Sequence, residues 1–97
     1  MATFILLVNF TDQGMRAAQD SPKRAETFKA LAKKAGVNVK ELYWTLGQYD
    51  SVAIIEAPDN ATATAVSLSL SKLGNVRTQT LPAFSAAEMQ TIIGKMA

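Results

Sequence analysis

Thr3-Phe4-Ile5-Leu6-Leu7-Val8-Asn9-Phe10 and Ser51-Val52-Ala53-Ile54-Ile55-Glu56-Ala57 are the two stretches on which the fold turns. Each is a run of β-branched and large apolar residues beside a polar, glycine-containing segment, Thr11-Asp12-Gln13-Gly14 after the first and Gly47-Gln48-Tyr49-Asp50 before the second. That is how a strand and its turn read. Side chains alternate across a strand, so Phe4, Leu6 and Val8 lie opposite Ile5 and Leu7, and Val52 and Ile54 lie opposite Ala53 and Ile55. Both strands are apolar on both faces, which places them in the middle of a sheet.

Working outward, Ser21-Pro22 pairs an N-cap with a first-turn proline. Ala25, Phe28, Leu31, Ala32 and Ala35 then recur at helical spacing until Gly36. Val37 to Leu46 has the period of a strand, with Leu42, Trp44 and Leu46 on one face and Glu41, Tyr43 and Thr45 on the other. Ala61 to Ser71 alternates Thr/Ser with Ala/Leu in a way that superficially fits a strand. Its alanine content, the cap candidate Asp59, the stop at Gly74 and the spacing of Ala63, Val66, Leu70 and Leu73 predict a helix instead. Asn75 to Pro82 reads as a fourth strand. A last helix follows, with Ser85 and Glu88 as a capping box, Phe84 and Met89 as a hydrophobic staple, and Met89, Ile92, Ile93 and Met96 as an apolar stripe.

This order predicts a single α+β domain over residues 1–97 with a ferredoxin-like βαββαβ fold: a four-stranded antiparallel sheet, strands one and three central, and an extra C-terminal helix. Two helices cover one face of such a sheet. Four large aliphatic positions on the other face represent roughly 6–12 kcal/mol of burial, comparable to the net stability of a small domain. Something must cover that face, and the candidates are another subunit's sheet and the C-terminal helix. The expected state is therefore a homodimer or higher homo-oligomer.

Composition narrows the chemistry. The chain has 97 residues, no cysteine and no histidine, and a net charge of +2. Disulfides, thiolate nucleophiles, histidine-dependent triads and thiolate or imidazole zinc sites are excluded, and no metal or cofactor is expected. Lys23/Arg24 and Lys33/Lys34 read as solvated helix positions. The apolar start, Met1 to Phe10, lacks a basic leader and is too short to span a bilayer, so the expectation is a cytoplasmic protein without a membrane partner.

In the expected topology Thr11-Asp12-Gln13-Gly14, Gly47-Gln48-Tyr49-Asp50 and Gly74-Asn75 meet at one end of the sheet. A ligand site, if present, is expected there. Tyr49, Asp50 and Arg77 would be its polar members, Trp44 would lie beside them, and Thr11, Gly14 and Asn75 would form its wall. Asp50 and Arg77 flank strand one at roughly 10 Å. The structural alternative is that Tyr49 staples the hairpin, Asp50 satisfies turn amides and pairs with Arg77, and Trp44 belongs to the core or an interface.

These same turns, together with Gly74-Asn75-Val76-Arg77-Thr78, Ser21-Pro22-Lys23-Arg24, Ala57-Pro58-Asp59, Thr80-Leu81 and Ala83-Phe84, resemble the GYD-domain family of small bacterial and archaeal proteins. The resemblance implies a ferredoxin-like fold associating as in dimeric α+β barrels. It brings no established reaction or ligand. Pro82 stands where a basic residue is expected in that family, which argues against an anion site near the end of strand four.

Three function classes follow. The first is a homo-oligomeric module binding a small metabolite in a loop-lined or inter-subunit pocket, which suits the missing histidine and cysteine. The second is a cofactor-free enzyme, monooxygenase- or isomerase-like, using Asn9, Trp44, Tyr49, Asp50 or Arg77 to orient and polarise a substrate. The third, nucleic-acid binding, is set aside because Ser51 to Glu56 offers no aromatic or basic residue on which a base could stack.

Overall fold

In the computed structural model, which describes all of residues 1–97, the two doubly apolar stretches do pair with each other. β1 (Ala2–Phe10) and β3 (Ser51–Ala57) run antiparallel through the centre of a four-stranded sheet. β2 (Asn38–Trp44) lies outside β3 and β4 (Val76–Ala83) outside β1, giving the order β2-β3-β1-β4. Phe4 sits opposite Ile55 and Pro82, and Leu6 opposite Ala53 and Thr80. α2 (Ser21–Lys34) and α3 (Asn60–Ser71) lay Phe28, Ala32, Ala63 and Val66 against Phe4, Leu6, Val8 and Ile55 to make the core. The fold is ferredoxin-like α+β, with α4 (Ala86–Ile93) added after β4.

Several local expectations are corrected. Thr11-Asp12-Gln13-Gly14 is no simple turn: Thr11 caps a short helix, α1 (Asp12–Arg16), and a 3-10 turn over Ala18–Asp20 leads into α2. Five residues are too few to show a helical period. Ser21 is the first residue of α2 and not its N-cap; Asp20 holds that place without a side-chain hydrogen bond, and the Ser21 hydroxyl accepts one from Trp44 Nε1. β2 is shorter than expected and carries a bulge between Val39 and Glu41. The bulge lets Val39 and Leu42 both pack on the core, and it breaks a strict alternation. Leu46 leaves the strand and is fully exposed.

α3 resolves its own ambiguity. The serines that mimic strand alternation are the ones that meet β4: Ser67 Oγ lies 2.8 Å from Thr80 Oγ1 and donates to Ala63 O, and Ser71 Oγ lies 3.5 Å from Thr78 Oγ1. A polar seam joins this helix to the sheet.

Both helices lie on one face. The opposite face carries Ile5, Leu7, Val52, Ile54 and Leu81, with Ile5 opposite Ile54 and Leu81, and Leu7 opposite Val52. None of these is buried. α4 does not cover them: no residue of α4 is buried, and it makes no substantial contact with any other element. The molecule is consequently long, 49 × 30 × 18 Å, with a Cα radius of gyration of 14.4 Å. A closed domain of this length would have about 12.5 Å. Only 14 of 97 residues are buried, as expected of a sheet with one layer missing.

Candidate functional site

The three turns do meet at one end of the sheet, and backbone chemistry holds them. Thr11 Oγ1 donates to Gly74 O at 2.6 Å and accepts from Gly14 N at 3.1 Å, while Thr11 N donates to Asn75 O at 3.0 Å. Gln13 Nε2 donates to Asn75 Oδ1 at 2.9 Å. Gly14 is required by contact: a Cβ there would lie 2.0 Å from Asn75 O. Gly74 is required by conformation, with φ of +88°. Thr11, Gly14 and Asn75 therefore form a knot between the end of β1 and the start of β4.

Asp50 serves the same end. Its Oδ2 accepts from Phe10 N at 2.7 Å, its own amide donates to Val8 O at 2.8 Å, and its carbonyl accepts from Thr45 N at 2.9 Å. Thr45 Oγ1 donates to Tyr49 O at 2.7 Å, closing the hairpin loop around Gly47, whose φ is +112°. Arg77 is not brought into this cluster. It is exposed, its cross-strand neighbour is Asn9, and it makes neither an ion pair nor a hydrogen bond with Asp50. The Asp50–Arg77 pairing of the structural alternative is absent, because the Asp50 carboxylate is engaged by the β1 backbone.

Trp44 lies on the helix side of the sheet, away from Arg77. With Ser21, Arg24, Ala25, Phe28 and Leu42 it lines a cleft between the start of α2 and edge strand β2. The cleft holds about 50 Å³, against the roughly 300 Å³ or more of a metabolite pocket. It has room for the end of one side chain.

Arg24 is the residue that sequence reasoning missed. Placed among solvated helix positions, it in fact reaches back to donate to Ala17 O at 2.8 Å and Gly14 O at 3.1 Å, with its guanidinium 5.3 Å from the centre of the Phe10 ring. It ties α2 to α1 and to the end of β1. Its acceptors are backbone carbonyls, which leave no mark in a sequence.

A further unassigned surface is the open sheet face. Its centre is apolar, and its rims are polar. At one end Lys40 Nζ lies 3.8 Å from Glu56 Oε2, and Asn38 Nδ2 donates to Glu56 Oε1 at 3.3 Å. Along the β2 side Tyr43 donates to Glu41 Oε2 at 2.8 Å. That hydrogen bond, and then the negative charge of the carboxylate, raise the Tyr43 phenol above its ordinary value. Arg77 lies at the other end. An apolar centre inside a polar rim is the anatomy of a protein interface.

Known proteins resemble this chain along almost its whole length. The chain is 39% identical over 90 residues to a Thermus thermophilus protein named glutamine synthetase and cystathionine beta-lyase binding protein, spanning 92% of this chain and 95% of the relative. The crystal structure of TTHA0845, also from Thermus thermophilus, superposes with a TM-score of 0.55 at 27% identity, over 89% of this chain and 96% of that one. The GYD domain family model matches residues 4–93, and with that span and the fold in agreement, the chain belongs to the GYD-domain family.

Proposed function

We propose that this protein is a non-catalytic, cytoplasmic binding module that pairs with itself through the open sheet face and, so assembled, binds larger metabolic enzymes. The observation that carries the reading is the uncovered cluster of Ile5, Leu7, Val52, Ile54 and Leu81. The relative named for binding glutamine synthetase and cystathionine beta-lyase supports the second half, because it matches this chain along almost its whole length.

The turn cluster favours binding over catalysis. Asp50, the natural candidate for a base, accepts from a backbone amide, and Thr11, Gly14 and Asn75 are engaged with one another. Of the two clefts that Trp44 borders, the apolar one of about 50 Å³ suits the end of a partner's side chain, while the other, about 430 Å³ between α2 and β2 with Glu26, Lys29 and Lys40 on its walls, is large enough for a metabolite.

Energetics make self-pairing worthwhile but not generous. Five partly exposed apolar residues on each of two copies supply on the order of 10 kcal/mol when covered, and association costs roughly 4–15 kcal/mol. The test is sedimentation of the purified chain at micromolar concentration, alone and with glutamine synthetase or cystathionine beta-lyase of the same organism. A dimer that co-sediments with either enzyme is expected. Ile54→Lys, which puts a charge at the centre of the face, should give a folded monomer. A wild-type chain that stays monomeric overturns the pairing, and a dimer that sediments free of both enzymes overturns the enzyme-binding half.

A further inference from the structure

We infer that α4 is an exchanged arm, which leaves its own chain and packs against the open sheet face of a second copy. The inference rests on the proposed pairing and says how that pairing is completed. α4 has a finished N-terminus: the Ser85 side chain accepts from Glu88 N at 3.1 Å while Glu88 Oε1 accepts from Ser85 N at 2.9 Å. It also carries an apolar stripe, with Met89 47% and Ile93 53% exposed and Ile92 beside them. Yet it touches nothing substantial in its own chain. Eight residues are too few to hold a helix in water without packing, so a capped, apolar, unpacked helix of this length implies a partner surface.

Position decides which surface. β4 carries Leu81 on the open face, and β4 runs on through Ala83, opposite Thr3, into exposed Phe84 and then α4. The apolar surface of the face thus continues without a break into the arm. Within its own chain the arm makes no substantial contact with β1 or β3, and Ile5, Leu7, Val52 and Ile54 stay partly exposed.

Area points the same way. Four strands about seven residues long present a flat footprint of roughly 450 Å², while a standard interface takes about 800 Å² from each partner. Phe84 to Met96 as a helical arm adds roughly 150–200 Å² of footprint on each side, which brings the pair close to that size. The occupant of the face is accordingly a second copy supplying both sheet and arm. An unrelated protein would have to replace both.

The absence of cysteine allows a clean test in the full chain. Met89→Cys and Tyr43→Cys, the second on edge strand β2 at the rim of the open face, are made singly, one is isotopically labelled, and the two are mixed and oxidised. A disulfide between the labelled and unlabelled chains is expected, at least tenfold above a control pairing Tyr43→Cys with Thr64→Cys on the exposed side of α3. In parallel, Met89→Asp with Ile93→Asp should weaken self-association at least tenfold while far-UV circular dichroism loses no more helical signal than the melting of α4 accounts for. A chain carrying both cysteines that oxidises internally and stays single overturns the arm, because α4 then folds on its own sheet. So does a dimer without the 43–89 link, or one that tolerates both aspartates. Wild-type protein that remains monomeric fails the pairing itself, and the arm with it.

Discussion

Asp50 is the residue whose position most invites a catalytic reading, and its contacts assign it another task. A carboxylate oxygen 2.7 Å from the Phe10 amide, on a residue whose own amide and carbonyl bond to Val8 and Thr45, fixes the hairpin to the end of β1. Asp50→Ala should cost about 1–3 kcal/mol in chemical unfolding, because the Phe10 amide loses its acceptor in a half-buried place. Asp50→Asn keeps an oxygen acceptor and should restore most of that loss. A base would behave otherwise, since asparagine cannot replace it. Arg24 makes the complementary case. Arg24→Lys should recover little of the stability lost in Arg24→Met, because an ammonium cannot reproduce the fork that spans Ala17 O and Gly14 O or its place over Phe10. Comparable midpoints for the lysine variant and the wild type would remove Arg24 from this role. The Asp50 role was open to sequence reasoning because aspartate in a turn commonly satisfies amides. That of Arg24 was not, because nothing in the string Lys23-Arg24 separates a clamp from a wet side chain.

At the scale of elements, the strands were legible and the placement of α4 was not. Two-sided apolarity located β1 and β3 in the centre because that pattern has few other uses. The capping box likewise announced α4 from Ser85 and Glu88 alone. An apolar stripe, however, records that a helix packs and not on what. Phe84 and Met89, expected to meet as a staple, are both about half exposed. The cap has a measurable signature. Hydrogen bonds from the Ser85 backbone and then its side chain hold the Glu88 carboxyl below the usual glutamate range. A group whose folded pKa lies below its unfolded value contributes stability that is present above the unfolded pKa and is lost as pH falls through the folded one. Backbone NMR shifts of residues 86–93 should therefore move toward coil on acidification through and below the ordinary glutamate range. In Glu88→Gln, which keeps a capping acceptor without a titrating group, the shifts should stay flat. Asp59 Oδ1, which accepts from Thr62 N at 2.7 Å and is also lowered, gives α3 the same dependence. The core under α3 should mute it there. Equal acid sensitivity of the two helices would mean that the second copy holds α4 as firmly as the core holds α3.

For the whole molecule, the proposed pairing would make stability a property of concentration. A chain whose second sheet face is finished by another copy unfolds together with it, so the midpoint of thermal unfolding must rise with total protein. The size of the rise follows from the entropy of unfolding. Two chains of this length release roughly 0.4 kcal/mol/K near 60 °C, and a tenfold change in concentration is worth about 1.5 kcal/mol at that temperature. Each tenfold increase should thus raise the midpoint by roughly 4 °C. Salt should matter little, because the centre of the face is apolar and only rim pairs such as Lys40–Glu56 are screened. Ile54→Lys should flatten the concentration dependence altogether and unfold at a lower, fixed temperature. Calorimetry over two decades of concentration separates the cases. A wild-type midpoint independent of concentration would show that one chain is the folding unit, and the open face would then have to be covered by a different protein or left exposed to water.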